Sequence, residues 1–193
     1  AIVYEGSRIL LAEVQALTIP SKSGIMRVYS DRIDPLRVSR IAAVLEKQTR
    51  LDFSSQEIYV NVAGGLRLTE PAVDLPLACA LYSARSGQPL PEGSALAGEL
   101  SLAGEIRPVR SMDRRTRAAH QLGFARIIGP KALPAGAEVP AKRGAAKAEV
   151  VGAEAAKSGT VRVEAAALSG QALPWLGASS LRESLRILWG QGT

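Results

Sequence analysis

The run from Asp74 to Ala84, DLPLACALYSA, is apolar nearly all round a helical turn. Such a helix has no face to offer water, so other elements must cover it on every side. Pro76 fits only if the helix starts at about Asp74, which puts the proline in the first turn. The preceding EIYVNVAGG, Glu57 to Gly65, reads as a strand that runs into a glycine turn. A strand, a sharp turn and a buried helix therefore set the frame around which the other segments must pack.

Those segments alternate. Ile9 to Ile19 (ILLAEVQALTI) reads as a strand, and GIMRVYS, Gly24 to Ser30, as its hairpin partner across the Pro20–Gly24 turn. Asp34 to Gln48 reads as a helix, with Asp34 as N-cap and Pro35 in the first position, where its missing N–H costs nothing. Its Val38, Ile41 and Leu45 share one face. SALAGELSLAGEI reads as two short strands around a turn at Ala103–Gly104. Ser111 is expected to cap the next helix. ARIIGP is a strand closed by Pro130. In the last helix, Ser180 and Glu183 form a capping box, and Leu181, Leu185 and Leu188 form an apolar stripe. This order predicts a mixed α/β fold of the α+β class. Residues 134–170, rich in Ala, Gly, Lys and Glu, read as a flexible insertion or extended hairpin containing one strand, TVRVEA.

Composition then narrows the function. The chain has one cysteine and one histidine, Cys79 and His120. That excludes an internal disulfide framework and multi-Cys zinc sites, and makes histidine-based metal sites and triads poor expectations. No metal and no cofactor is expected in this domain. No apolar stretch reaches a membrane span and no signal segment opens the chain, so no membrane partner is expected and the cytoplasm is the expected compartment. The chain starts at Ala1 in what reads as a strand, and is expected to be cut from a longer protein. Its 193 residues carry a formal net charge of +6, which favours polyanions without naming one.

The charge is concentrated. GEIRPVRSMDRRTRAAHQLGF, Gly104 to Phe124, holds five arginines against two acids, Glu105 and Asp113. On a helix from about Met112, Met112, Thr116 and Ala119 share one face. Arg114, Arg117 and Gln121 point the other way, and Arg115 lies at the border. Arg107 and Arg110 flank the helix start. Such a surface is either solvated and salt-bridged or meets phosphate, whose oxygens match the guanidinium fork. Further candidates for phosphate contact are Arg37, Arg40, Arg67, Lys131, Lys142 and Arg143. Little aromatic interleaving is visible, so a backbone-led, sequence-tolerant and salt-sensitive mode is expected.

Three strings carry a resemblance: IYVNVAGGLRLTEPAVDLPLACAL, GELSLAGEIRPV and AAHQLGFARIIGPK. They resemble the C-terminal Lon-protease-like domain of the bacterial RadA (Sms) recombination proteins, densely from about Leu10 to Lys131 and again in the last helix. The resemblance implies a Lon-protease-like fold of the ribosomal protein S-five domain-two-like class, assembled as a hexameric ring. It also implies an upstream RecA-like ATPase domain, DNA and RecA as partners, and a role in recombination and repair. Lon peptidases use a Ser–Lys dyad, a hydroxyl nucleophile with an amine base. Laid on that pattern, Ala72 stands at the serine position and Asp113 at the lysine position. A methyl group cannot attack a carbonyl and a carboxylate cannot replace the amine, so a pseudo-peptidase is expected. An oligomerisation scaffold without DNA contact and an unconventional serine peptidase stay open as alternatives.

Overall fold

A computed structural model describes residues 1–131, 148–151 and 175–190. The chain opens with a hairpin, β1 (Ile2–Glu5) and β2 (Arg8–Ala12), paired antiparallel from Ile2↔Leu11 to Glu5↔Arg8. Glu13 then breaks the run expected as one strand, and β3 (Val14–Pro20) turns away into a second sheet. There it lies antiparallel to β5 (Gln56–Val62), while β4 (Arg27–Ser30) lies parallel to β5 on the other side. The expected hairpin between β3 and β4 is therefore not formed. β5 takes the central place because its alternate residues Ile58, Val60 and Val62 are buried, and neither edge strand offers so continuous an inner face.

Between β4 and β5 runs α1 (Pro35–Thr49). The Asp34 carboxylate accepts from the Leu36 N–H at 3.0 Å, and Pro35 occupies the first position, as the sequence predicts. Its buried face is Val38, Ile41, Ala42, Val44 and Leu45. β5 ends in a turn where Gly64 and Gly65 both take positive φ, 78° and 71°, which side-chain-bearing residues reach only with strain.

The helix α2 (Asp74–Ser86) is covered as its composition demands. It packs on β3 and α1, and Leu75, Leu77 and Leu81 are fully buried. Each such leucine contributes about 1.5–3 kcal/mol by leaving water. Pro76 sits in the first turn. A short 3₁₀ turn at Pro71–Val73 leads into it. Ala72 O accepts from Gly98 N, and Gly98 O accepts from Leu75 N, so the turn is clamped to the segment beyond α2.

That segment carries β6 (Ser94–Leu96), then the hairpin β7 (Glu99–Leu100) and β8 (Ile106–Arg107) around Ala103–Gly104. The helix α3 (Met112–Gln121) and the strand β9 (Arg126–Pro130) follow. β6 and β11 (Trp175–Ala178) flank β9, both parallel to it. Within the range read as an insertion, β10 (Ala148–Val151) pairs parallel with β2. The expected strand TVRVEA lies outside the described residues, as do Lys142 and Arg143.

The final helix α4 (Leu181–Trp189) is capped by Ser180, whose hydroxyl accepts from Glu183 N at 3.2 Å. The Glu183 carboxylate reaches back to Ser179 N rather than to Ser180 N, one residue beyond a strict capping box. Leu181, Leu185 and Leu188 are its buried stripe. The cap expected from Ser111 is not made. Ser111 has φ 56° and ψ 41°, a left-handed conformation from which its side chain makes no capping hydrogen bond.

Candidate nucleic-acid interface

Ala72 and Asp113 stand where the resemblance to Lon peptidases would put the dyad. Ala72 is fully buried within the 3₁₀ turn before α2 and packs with Met112, Ala118 and Ala119 of α3. Asp113, half-buried in the first turn of α3, accepts from Arg117 Nη2 at 2.6 Å, an (i, i+4) pair. Its carboxylate is thus occupied on the outer surface of the helix. Thr69 is exposed in the preceding loop, with its carbonyl held by Arg37. Cys79 is buried in α2, where desolvation pushes its thiol up to about 12. His120 is half-buried in the last turn of α3.

The loop from Thr69 to Asp74 is gripped from two sides by arginines. On one side, Arg37 Nη1 donates to the carbonyls of Thr69 (2.9 Å) and Glu70 (3.0 Å), and its Nε faces Asp74 at 3.3 Å. Arg40 reaches the same Asp74 carboxylate at 3.2 Å. Asp74 also accepts from Leu100 N. Burial pushes this carboxyl up, against the opposing pull of the Leu100 N–H and the Arg37 and Arg40 guanidinium groups.

On the other side stands Arg115. The sequence places it at a helix border as a candidate for phosphate contact; in the structure its side chain is 0% exposed. Its guanidinium forms a bidentate pair with Glu70 at 2.9 and 2.6 Å, and it also donates to the carbonyls of Ile2 and Arg110. Glu70 Oε1 in turn accepts from Tyr4 N at 2.7 Å. A guanidinium so placed is saturated with protein acceptors and has no path to a phosphate. Arg115 is a structural residue that ties β1, the Thr69–Asp74 loop and α3 together.

The remaining candidates divide by what already neutralises them. Arg117 is paired with Asp113, and Arg107 lies loosely against Glu105 at 3.6 Å. Arg110 and Arg114 are exposed and have no carboxylate within ion-pair distance among the described residues. Both lie over the ring of Tyr4, their guanidinium carbons 5.4 and 5.6 Å from its centroid, with Arg115 at 4.6 Å. Tyr4 is a functional candidate that sequence reading missed. It stands more than a hundred residues from the arginines it supports, and only the packing of β1 on α3 brings them together.

Arg32, Arg37, Arg40 and Arg67 line a second basic feature, a cleft of about 440 Å³ that also includes Asp34 and Thr69. Arg67 is exposed there without an acidic partner among the described residues, whereas Arg37 is largely consumed by the loop it holds. Lys131 is exposed just after β9. The structure thus gathers Arg107, Arg110, Arg114 and Arg117 on the surface of α3 and its approach, and Arg37, Arg40 and Arg67 in the cleft. Among the described residues no group of three His, Cys, Asp or Glu side chains is arranged to hold a metal ion, and no helix is long and apolar enough to cross a membrane.

Residues 36–132 match the family model described as subunit ChlI of Mg-chelatase. The chain is 59% identical over 128 residues to the DNA repair protein RadA of Treponema pallidum (strain Nichols), covering 66% of this chain and 28% of that protein. It is 45% identical over 127 residues to the DNA repair protein RadA of Rickettsia felis, again 66% and 28%. To the DNA repair protein RadA of Streptococcus pyogenes serotype M1 it is 41% identical over 139 residues, 72% and 31%. The chain therefore spans less than a third of the length of these relatives.

Proposed function

The chain belongs to the family described as subunit ChlI of Mg-chelatase, and on that premise we propose that it is a non-proteolytic, Lon-protease-like module of a RadA-type repair protein that grips the DNA backbone. The relatives' shared name, DNA repair protein RadA, supports the setting. Ala72 supports the loss of peptidase chemistry: it carries no nucleophilic atom and no solvent reaches it. Asp113 offers no amine to act as base, and its carboxylate is committed to Arg117.

The observation that carries the DNA reading is the contrast along one helix. Arg115 and Arg117 are neutralised by Glu70 and Asp113, while Arg114 on the same helix and Arg110 just before it stand exposed, with no carboxylate within ion-pair distance among the described residues. Guanidinium groups left without acids complement phosphate oxygens, and contacts to phosphate carry no sequence information. In the full protein this module would follow a RecA-like ATPase domain, act in the cytoplasm, assemble as a hexameric ring and work beside RecA. A ring would repeat a modest basic surface six times, so avidity would add to weak contacts.

A second reading, an oligomerisation scaffold without DNA contact, draws on Arg37, Arg115 and Arg117, three candidate cations that the fold itself consumes. Fluorescence anisotropy with oligonucleotides of unrelated sequence separates the two. The DNA reading predicts low-salt binding of similar strength to each, and the scaffold reading predicts none. Release of peptides from casein by a clean preparation would overturn the non-proteolytic assignment.

A further inference from the structure

We infer that Tyr4, Arg110 and Arg114 form a preorganised site for a single phosphate group, held in place by the ion pair of Glu70 with the buried Arg115. This deepens the DNA reading and rests on it for the phosphate's source. Three guanidinium groups surround one aromatic ring, and one carboxylate, Glu70, answers them. That carboxylate is spent on Arg115, the innermost of the three. Arg110 and Arg114 are left exposed as two like charges over the same ring, with no carboxylate within ion-pair distance among the described residues. An arrangement that is unfavourable alone and becomes favourable with a dianion or phosphodiester between its arms is a binding site by its electrostatics.

The scaffold fixes each part of this site to the same ion pair. Glu70 Oε1 accepts from the backbone N–H of Tyr4, so the ring's strand is registered to Glu70. Arg115 Nε donates to the carbonyl of Arg110 at 3.1 Å, which sets the backbone of the first arm. Arg114 precedes Arg115 on α3, so the second arm is fixed by the same anchor. The Tyr4 ring face then attracts both heads and limits where they can go. Arms already ordered lose less freedom when the ligand arrives. Tyr4 is therefore a positioning residue in this site, and Arg110 and Arg114 are its ligand contacts.

The test uses a fluorescein-labelled duplex, titrated by anisotropy across a range of salt. The variants are R110Q/R114Q, Tyr4→Leu and Tyr4→Phe, with Arg186→Gln as the control for loss of an exposed charge on α4. The double variant is expected to weaken low-salt binding at least about tenfold and to lower the salt slope by roughly one unit per lost phosphate contact. Tyr4→Leu, which changes no charge, is expected to weaken binding about fivefold, and Tyr4→Phe to restore it, because the ring face and not the hydroxyl supports the arms. In a second arm, inorganic phosphate at constant ionic strength is expected to raise the melting temperature of the wild type and not of R110Q/R114Q. Duplex binding that the double variant leaves at the Arg186→Gln level overturns the site and spares the DNA reading. Phosphate stabilisation without any duplex binding keeps the site and overturns the DNA reading. Tyr4→Leu equal to wild type in both arms removes Tyr4 from the site.

Discussion

Glu70 and Arg115, forty-five positions apart, meet in a bidentate ion pair of 2.9 and 2.6 Å beneath the surface of α3. Around it converge Ile2 O, Tyr4 N and Arg110 O, so one pair joins the first strand, the loop before α2 and the arginine helix. Removing one partner from such a pair strands the other in a poorly solvated place. Arg115→Met is expected to destabilise the domain by about 3–5 kcal/mol, measured by urea unfolding. A loss under 1 kcal/mol would show that the pair is not the junction described here.

Ala72→Ser alone is expected to restore no peptide cleavage. The new hydroxyl enters a fully buried, apolar setting, where it costs stability by about 1–3 kcal/mol unless it finds an acceptor. On the proposed Lon-like reading it also finds no amine base, because Asp113 stands where the lysine would. A casein assay on the single variant checks this, and clear turnover would contradict it.

Cys79 should be inert in the folded domain. Its thiol is buried and pushed up to about 12 by desolvation, so thiolate is scarce at neutral pH. Labelling by a disulfide reagent is expected to follow global unfolding and to accelerate with urea in step with the loss of structure. Rapid labelling in native buffer would mean that α2 is not sealed as described.

Asp52 supplies an acid-side dependence of stability. It accepts from the Ser54 and Ser55 hydroxyls and from Ser55 N at the entry to β5, and these bonds lower its pKa from 3.8 to about 2. The folded state thus holds the charged form more strongly than the unfolded chain does. The resulting stabilisation is complete above the unfolded value and is lost as pH falls from 3.8 toward 2. Asp52→Asn should lack this component. The gap between the urea midpoints of wild type and variant is expected to be constant above about pH 5 and to narrow below pH 4.

The legible parts of the fold are those written by local chemistry. Asp34–Pro35 starts α1, the all-apolar run makes α2 a buried helix, and Ser180 caps α4. Pairings between distant strands leave no such local mark. The turn after Pro20 suggested a β3–β4 hairpin, whereas β5 inserts between them because it alone is buried at each alternate residue along its length. Ser111 has a capping side chain but a left-handed backbone, and composition does not report φ. The site was legible as charge and illegible as accounting. The sequence places five arginines together with Asp113 beside Arg117, but that Arg115 is spent and that Arg110 and Arg114 share a ring depends on Glu70 and Tyr4, both brought in from elsewhere in the chain.

The proposed function requires that exposed guanidinium groups with no acidic partner among the described residues bind the phosphate backbone. The most direct measurement is the affinity of the unmodified domain for a duplex of arbitrary sequence as a function of salt concentration. Binding should fall along a straight line in log affinity against log salt, with a slope of about −0.9 for each phosphate neutralised and a total equivalent to two or more. An absence of binding at low salt, or an affinity that salt leaves unchanged, would contradict the account.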